Sequence, residues 1–153
     1  MLLPAVEQIG ERPAKAPWHR FWRRQEVDNA HRAAAALGEN QLAGHYANRA
    51  ADLSGGQMKL VELARSTMGN PRLLLLDEPT AGVAPNLAYE IFERIEELRA
   101  TAGLTFLIVE HRLEILFDFV DSLYVMHLGK VIAQGTPAEI MQNQEVREIY
   151  FGD

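Results

Sequence analysis

The sequence predicts an α/β fold built on a parallel sheet, and three stretches carry that prediction. The first is Arg72-Leu73-Leu74-Leu75-Leu76-Asp77-Glu78-Pro79-Thr80, in which four consecutive leucines leave no polar face. That is the composition of a short strand covered on both sides. The second, Thr105-Phe106-Leu107-Ile108-Val109, repeats the pattern and ends in Glu110-His111. Between them Leu87, Ile91, Ile95 and Leu98 recur at helical spacing. Strand, helix, strand in that order implies a right-handed crossover and two parallel neighbours. Both strands close on polar residues, so Asp77 and Glu78 stand at the carboxyl edge of the sheet, where open α/β sheets place their ligands, and His111 is expected near them. Pro79 stops the ladder by removing a backbone donor. A buried strand followed by a charged turn accounts for the first stretch equally well when it is taken alone.

The remaining elements are read around this unit. At 153 residues the chain is long enough for one domain with a core, and an apolar content of 48% is ordinary for a globular protein. The absence of cysteine excludes a disulfide frame and thiol chemistry. A net charge of −6 argues against a general nucleic-acid binder. No apolar run approaches the roughly 20 residues a membrane helix requires. Met1-Leu2-Leu3 is cut off by Pro4 and has no basic flank, so it does not read as a signal peptide.

In the first 24 residues Pro4, Pro13 and Pro17 argue against one long helix. Trp18-His19-Arg20-Phe21-Trp22-Arg23-Arg24 mixes aromatic and basic groups. It reads either as a membrane-surface or nucleic-acid contact, or as an amphipathic piece packed on the rest of the protein or on a partner subunit. Residues 25–37 predict a helix with Val27, Ala30, Ala34 and Leu37 on one face, closed by Gly38. Residues 42–51 predict a short turn and loop. His45 in that loop has no neighbour at metal-ligand spacing and reads as an ordinary surface or packing histidine.

Leu53-Ser54-Gly55-Gly56-Gln57 opens a further helix over about residues 55–68, with Leu60, Leu63, Ala64 and Thr67 as its core stripe. Ser54 is a natural N-cap. Two glycines let backbone N–H groups approach a ligand, and the positive end of the helix favours a phosphate there. An ordinary capped helix is the other reading of those residues. Gly69-Asn70-Pro71 turns the chain into the leucine strand. Beyond it, Pro85 suits the first turn of the crossover helix and Gly103 closes it. Glu90 and Arg94 are spaced as an i,i+4 pair worth roughly a few tenths of a kcal/mol. Residues 112–120 predict a helix with Leu113, Leu116 and Phe117 inward. Residues 122–134 predict a hairpin turning at Leu128-Gly129-Lys130. Thr136-Pro137-Ala138-Glu139 is a capping box that starts a C-terminal helix reaching about Asn143.

Taken together, these motifs resemble the ATP-binding cassette (ABC) ATPases. Leu53-Ser54-Gly55-Gly56-Gln57 is similar to the signature motif of that family. Leu73-Leu74-Leu75-Leu76-Asp77-Glu78-Pro79 is similar to its Walker B strand with the catalytic glutamate directly after the aspartate, and His111 to its switch histidine. The resemblance runs from about residue 27 to the C-terminus. It implies a P-loop NTPase-type parallel-sheet core, here incomplete, with part of the helical signature subdomain and a C-terminal hairpin plus helix. By this reading residues 1–70 form the partial helical subdomain, 71–135 the partial ATPase core and 136–153 the tail.

The resemblance also implies ATP and Mg²⁺ as cofactors. Asp77 would hold the metal through water, Glu78 would orient or deprotonate the attacking water, and His111 would contact the γ-phosphate. Ser54, Gly55, Gly56 and Gln57 would reach ATP held by a second ATPase subunit, identical or different. The other implied partners are transmembrane permease subunits, nucleic acid is not among them, and the expected location is the inner face of the cell membrane on its cytoplasmic side. Ala84 stands where many members carry aspartate or asparagine, a departure that removes a polar cross-subunit contact. The runs Glu78-Pro79-Thr80-Ala81-Gly82-Val83-Ala84-Pro85 and Ile108-Val109-Glu110-His111, and residues 146–152, are similar to the cassettes that energise branched-chain amino-acid import.

No G-x-x-x-x-G-K-[ST] occurs in these 153 residues, and nothing upstream of Ser54 matches the family's adenine-stacking aromatic or glutamine loop. The expectation is therefore the C-terminal portion of a cassette ATPase, inactive alone, with an exposed sheet edge that recruits another chain. Three functions compete: an importer ATPase subunit, a non-transport cassette ATPase of translation or DNA repair, and a catalytically inactive regulatory fragment.

Overall fold

The structure, a computed structural model, describes residues 19–152. The readings made on residues 1–18 lie outside the described residues. The chain divides between Glu110 and His111 into two compact units.

The first unit carries helix α1 (His19–Glu39), helix α2 (Gly55–Thr67), strand β1 (Leu73–Asp77), helix α3 (Pro85–Ala102) and strand β2 (Thr105–Val109), with 3₁₀ turns at Ala43–His45 and Ala50–Asp52. Helix α1 is already formed at His19, earlier than residue 25, so residues 19–24 of the basic and aromatic run are helical. Its buried face is also not the predicted one. Asn29, Ala33 and Ala36 are buried, whereas Val27, Ala30 and Ala34 are exposed and Leu37 is half-buried. Residues 33–36 are all alanine, so apolar spacing cannot distinguish one side of this helix from another. What marks the buried face is its tertiary neighbour: Ala33 and Ala36 form a buried cluster with Ala64 and Met68 of the α2 region. There the Arg32 guanidinium donates to the Met68 carbonyl and so satisfies one of the acceptors left open at the end of α2.

Strands β1 and β2 pair in parallel, from Leu73 against Thr105 to Asp77 against Val109. The pair is not covered on both sides by the described residues. Leu74 is buried and Leu76 half-buried, while Leu73, Leu75, Leu107 and Val109 are each at least half exposed on the alternate positions. A single crossover helix joins the strands, and one helix can screen only one face of a sheet. Helix α3 follows its predicted stripe, burying Ala88, Ile91, Phe92, Ile95 and Leu98. Pro85 opens it, and Gly103 closes it in the left-handed conformation with φ +62°. Its ion pairs are Arg94 with Glu97 and Arg99 with Glu96, at i,i+3, in place of the predicted pairing of Arg94 with Glu90.

The second unit carries helix α4 (Leu113–Phe119), strands β3 (Leu123–His127) and β4 (Lys130–Gly135), and helices α5 (Pro137–Gln142) and α6 (Gln144–Tyr150). The hairpin turns on Leu128 and Gly129, both at positive φ (47° and 76°), the signature of a two-residue type I′ turn that matches strand twist. Ile115, Leu116, Leu123, Val125, Ile140 and Val146 are its buried apolar residues. The predicted C-terminal helix is two helices. Asn143 ends α5, and its side chain accepts from the Val146 amide at 3.1 Å to start α6. The Tyr150 hydroxyl then donates to the Met126 carbonyl of the hairpin at 2.5 Å.

Candidate functional site

The acidic end of β1 is held by backbone geometry and by one carboxylate. The Glu78 N–H donates to the Val109 carbonyl at 2.8 Å, which extends the parallel ladder one step past Asp77. Glu78 itself has φ +44°, an uncommon conformation for a residue with a side chain. In a straight strand, adjacent side chains fall on opposite faces. The left-handed turn breaks that alternation at the point where the two carboxylates meet. Two residues on, Thr80 is buried, and both its N–H (2.9 Å) and its hydroxyl (2.5 Å) donate to the Glu110 carboxylate at the end of β2. Glu110 thus clamps the loop that carries Glu78. Sequence reading noticed Glu110 only as part of a run, because its partner lies thirty positions away.

Asp77 and Glu78 are both exposed. Their oxygens suit a hard cation, and no cluster of three or more acidic or histidine groups surrounds them among the described residues. That donor set fits Mg²⁺, which is commonly held by one or two carboxylates together with water and substrate phosphates.

The start of α2 is closed by a capping box. The Gln57 N–H donates to Ser54 Oγ at 3.2 Å, and the Ser54 N–H donates to Gln57 Oε1 at 2.9 Å. The two glycines inside it serve different ends. A Cβ at Gly55 would meet nothing within 4 Å, so this side of the helix end is open to an approaching group. A Cβ at Gly56 would fall 2.0 Å from Leu87 Cδ2, so this glycine lets α2 seat against α3. The remaining end of Gln57 is engaged as well: its Nε2 lies 3.1 Å from His45 Nε2, and His45 Nδ1 lies 3.0 Å from Asn48 Nδ2. His45 is therefore not an ordinary surface histidine but part of the shell of the Ser-Gly-Gly-Gln stretch.

A cavity of about 160 Å³ lies between α2, β1 and α3, with Lys59, Glu62, Leu76, Asp77 and Ile91 in its wall. It reaches Asp77 but none of Ser54, Gly55, Gly56 or Gln57 lines it, and it is well below the roughly 300–1,000 Å³ of a site that encloses a ligand of drug or cofactor size. His111 is exposed and opens the second unit. No helix among the described residues is long and apolar enough to cross a membrane.

A family model described as ABC transporter matches residues 3–81, and one described as branched-chain amino acid ATP-binding cassette transporter matches residues 130–153. The likeness thus begins near the N-terminus and not at about residue 27. The chain is 43% identical over 148 residues to the "Probable branched-chain amino acid transport ATP-binding protein LivG" of Methanocaldococcus jannaschii, covering 94% of this chain and 57% of that protein. It is 42% identical over 151 residues to the protein of the same name in Archaeoglobus fulgidus, covering 99% and 58%. A lipopolysaccharide export system ATP-binding protein, LptB of Haemophilus influenzae, is 41% identical over 101 residues, covering 66% and 42%. Among solved structures, a nucleotide-free ATP-binding cassette from an ABC transporter matches with a TM-score of 0.79 and 41% identity, covering 99% of this chain and 61% of that one. An ATP-binding cassette in its ADP conformation matches with a TM-score of 0.74 and 46% identity, covering 80% and 50%. The chain thus spans a little over half the length of the two LivG proteins.

Proposed function

The chain belongs to the ABC transporter family, and from that premise we propose that it supplies the signature and Walker B half of an ATP-binding subunit that couples ATP hydrolysis to solute import, of branched-chain amino acids in particular. The observation that carries this reading is the pairing of the two motifs in one unit: an open, glycine-lined helix start at Ser54-Gly55-Gly56-Gln57, and the exposed Asp77-Glu78 edge behind a clamped loop.

In this reading ATP is the substrate. Phosphoryl transfer asks a protein mainly for positioning and charge stabilisation. Glu78 orients or deprotonates the attacking water, and its left-handed backbone is held by the Val109 carbonyl. Asp77 would hold Mg²⁺ through water, which when bound offsets charge on the phosphates. His111 contacts the γ-phosphate. The amides at the start of α2, with Ser54 and Gln57, engage ATP carried by a second ATPase subunit. The phosphate-binding loop comes from outside these 153 residues, which by themselves are inactive. The assembled protein works on the cytoplasmic face of the membrane against permease subunits. The match at residues 130–153 favours branched-chain amino acids over the cargo of the export relative.

The test is calorimetry of ATP with Mg²⁺, using this chain alone and mixed with a fragment carrying a phosphate-binding loop. Binding is expected only in the mixture. Tight binding by the chain alone would overturn the division of labour, and no binding in either case brings the regulatory-fragment reading forward. In the mixture, Glu78→Gln is expected to lower turnover about 10²–10⁴-fold with ATP binding intact. Unchanged turnover would remove Glu78 from the role of base.

A further inference from the structure

His45 stands twelve positions before Gln57 on a short 3₁₀ turn, Ala43–His45. That turn is anchored. Leu42 is buried, its N–H donates to the Leu37 carbonyl at 2.8 Å, and the His45 N–H donates to the Leu42 carbonyl at 2.9 Å. The Asn48 N–H returns to the His45 carbonyl at 3.0 Å. The imidazole is therefore delivered to Gln57 from a fixed backbone.

The hydrogen-bond chemistry then fixes the protons. Gln57 must turn its oxygen to the Ser54 N–H, because its NH₂ end has no lone pair to offer a donor. Its Nε2 is left as a donor facing His45 Nε2 at 3.1 Å. That imidazole nitrogen must accept, so the ring proton sits on Nδ1. Asn48 satisfies Nδ1–H with its amide oxygen, since the two ends of the amide exchange by a 180° rotation. A chain of defined direction follows, from the Ser54 amide through Gln57 and His45 to Asn48.

We propose that His45 is a positioning residue of the signature motif: as an Nδ1–H imidazole it accepts from the Gln57 side chain and holds the Ser54–Gln57 box, and with it the open Gly55 amide, in the geometry that meets a nucleotide phosphate. The nucleotide part of this inference rests on the function proposed above, whereas the tether itself does not. His45 touches no substrate and acts only through Gln57.

The experiment uses the full chain with ¹⁵N-labelled histidine. At about pH 8, where a free imidazole is neutral, long-range ¹H–¹⁵N correlation reads which ring nitrogen bears the proton. His45 is expected as the Nδ1–H tautomer, the reverse of the preference of a free imidazole. An Nε2–H tautomer, or averaging between the two, would overturn the tether. His45→Ala is expected to speed amide exchange at Ser54 and Gln57, the two amides bonded within the box, by roughly threefold to tenfold, the worth of one hydrogen bond. His45→Gln, which restores an acceptor, should recover most of the protection, and equal protection in all three proteins would overturn the proposal. With the phosphate-binding fragment, ATP and Mg²⁺ added, turnover should fall in His45→Ala and return in His45→Gln. The expected tautomer and exchange with no ATP dependence in the mixture would retain the tether and overturn its nucleotide role. The wrong tautomer with normal turnover would overturn the tether and leave the ATPase reading standing.

Discussion

Two helices of this chain begin with the same device and put it to opposite ends. Helix α2 starts Ser54-Gly55-Gly56-Gln57 and helix α5 starts Thr136-Pro137-Ala138-Glu139, each with a reciprocal capping box. In α5 the third residue is a carboxylate. It accepts from the Thr136 N–H at 2.7 Å and from its hydroxyl at 2.9 Å, so negative charge is built into the positive end of the helix. Pro137 also removes one of the donors such an end would otherwise leave open. In α2 the third residue is a neutral amide, and the first is a glycine with no neighbour on its open side. The cap orders the backbone there without cancelling its field. One helix start is closed on itself for stability. The other is ordered and left with room for an external anion. A capping box therefore says where a helix starts, and the charge of its third residue says whether that start remains able to bind.

The largest effect that can break this comparison comes from the second helical position. Gly56→Ala drives a Cβ to 2.0 Å from Leu87 Cδ2, and overpacking of this kind costs about 1–3 kcal/mol or more. Ala138 occupies the same position in α5 and is exposed, so Ala138→Gly should cost no more than about 1 kcal/mol. Hydrogen exchange read separately on each unit measures both. If Gly56→Ala proves as mild as Ala138→Gly, then α2 does not depend on close seating against α3, and Gly56 would be there for ligand approach alone.

Next in size is Gln57→Glu, which gives α2 the chemistry of α5. The new carboxylate can still accept from Ser54 and gains about 0.3–1 kcal/mol from the helix end, so the helix should hold or stabilise slightly. It would also repel phosphate and lose the donor to His45. ATP affinity in the assembled mixture is expected to fall about tenfold, or 1.4 kcal/mol, as read by calorimetry. Undiminished affinity would mean that the open field at α2 is not what the nucleotide meets. Ser54→Ala and Thr136→Ala come after it, each costing about 0.5–2 kcal/mol of cap. The two should match in stability and differ in function, with only Ser54→Ala weakening ATP engagement.

What was legible in the sequence follows the same division between local and distant causes. Runs of leucine and β-branched residues, the stripe Ile91-Ile95-Leu98, and the caps at Ser54, Gly103 and Thr136 act within a few positions, and the structure has them as read. The face of α1 was not legible, because four alanines carry no periodicity and the choice was made by closeness to Ala64 and Met68. Coverage of β1 on both sides was over-read. Four leucines state that both faces are apolar, not that the described residues supply the cover. His45 and Glu110 escaped for a third reason. Their partners, Gln57 and Thr80, are twelve and thirty positions away, at spacings that no local pattern marks. The roles of Asp77, Glu78 and His111 came from resemblance, since spacing alone also allows a capped helix and a charged turn.

The smallest effect separates the two boxes by titration. The Glu139 carboxyl is held below its ordinary value of 4.5, first by the hydrogen bond from the Thr136 backbone and then by the one from its hydroxyl. A carboxylate whose folded-state value is depressed adds stability that is complete above the ordinary value and is lost as pH falls through the folded one. The α5 cap should therefore hold down to about pH 4.5 and loosen below it, with the Thr136 amide shift following a single proton. The α2 cap has an amide in that place, so the Ser54 amide should show no carboxyl step from its third residue; the titratable side chain tied to that box is the His45 imidazole bonded to Gln57. An NMR titration of the two amides, read side by side, tests this directly. A Ser54 amide that moved together with Thr136 would mean that acid acts on α2 through some other group, and that the charge of the third residue is not what distinguishes the two helix starts.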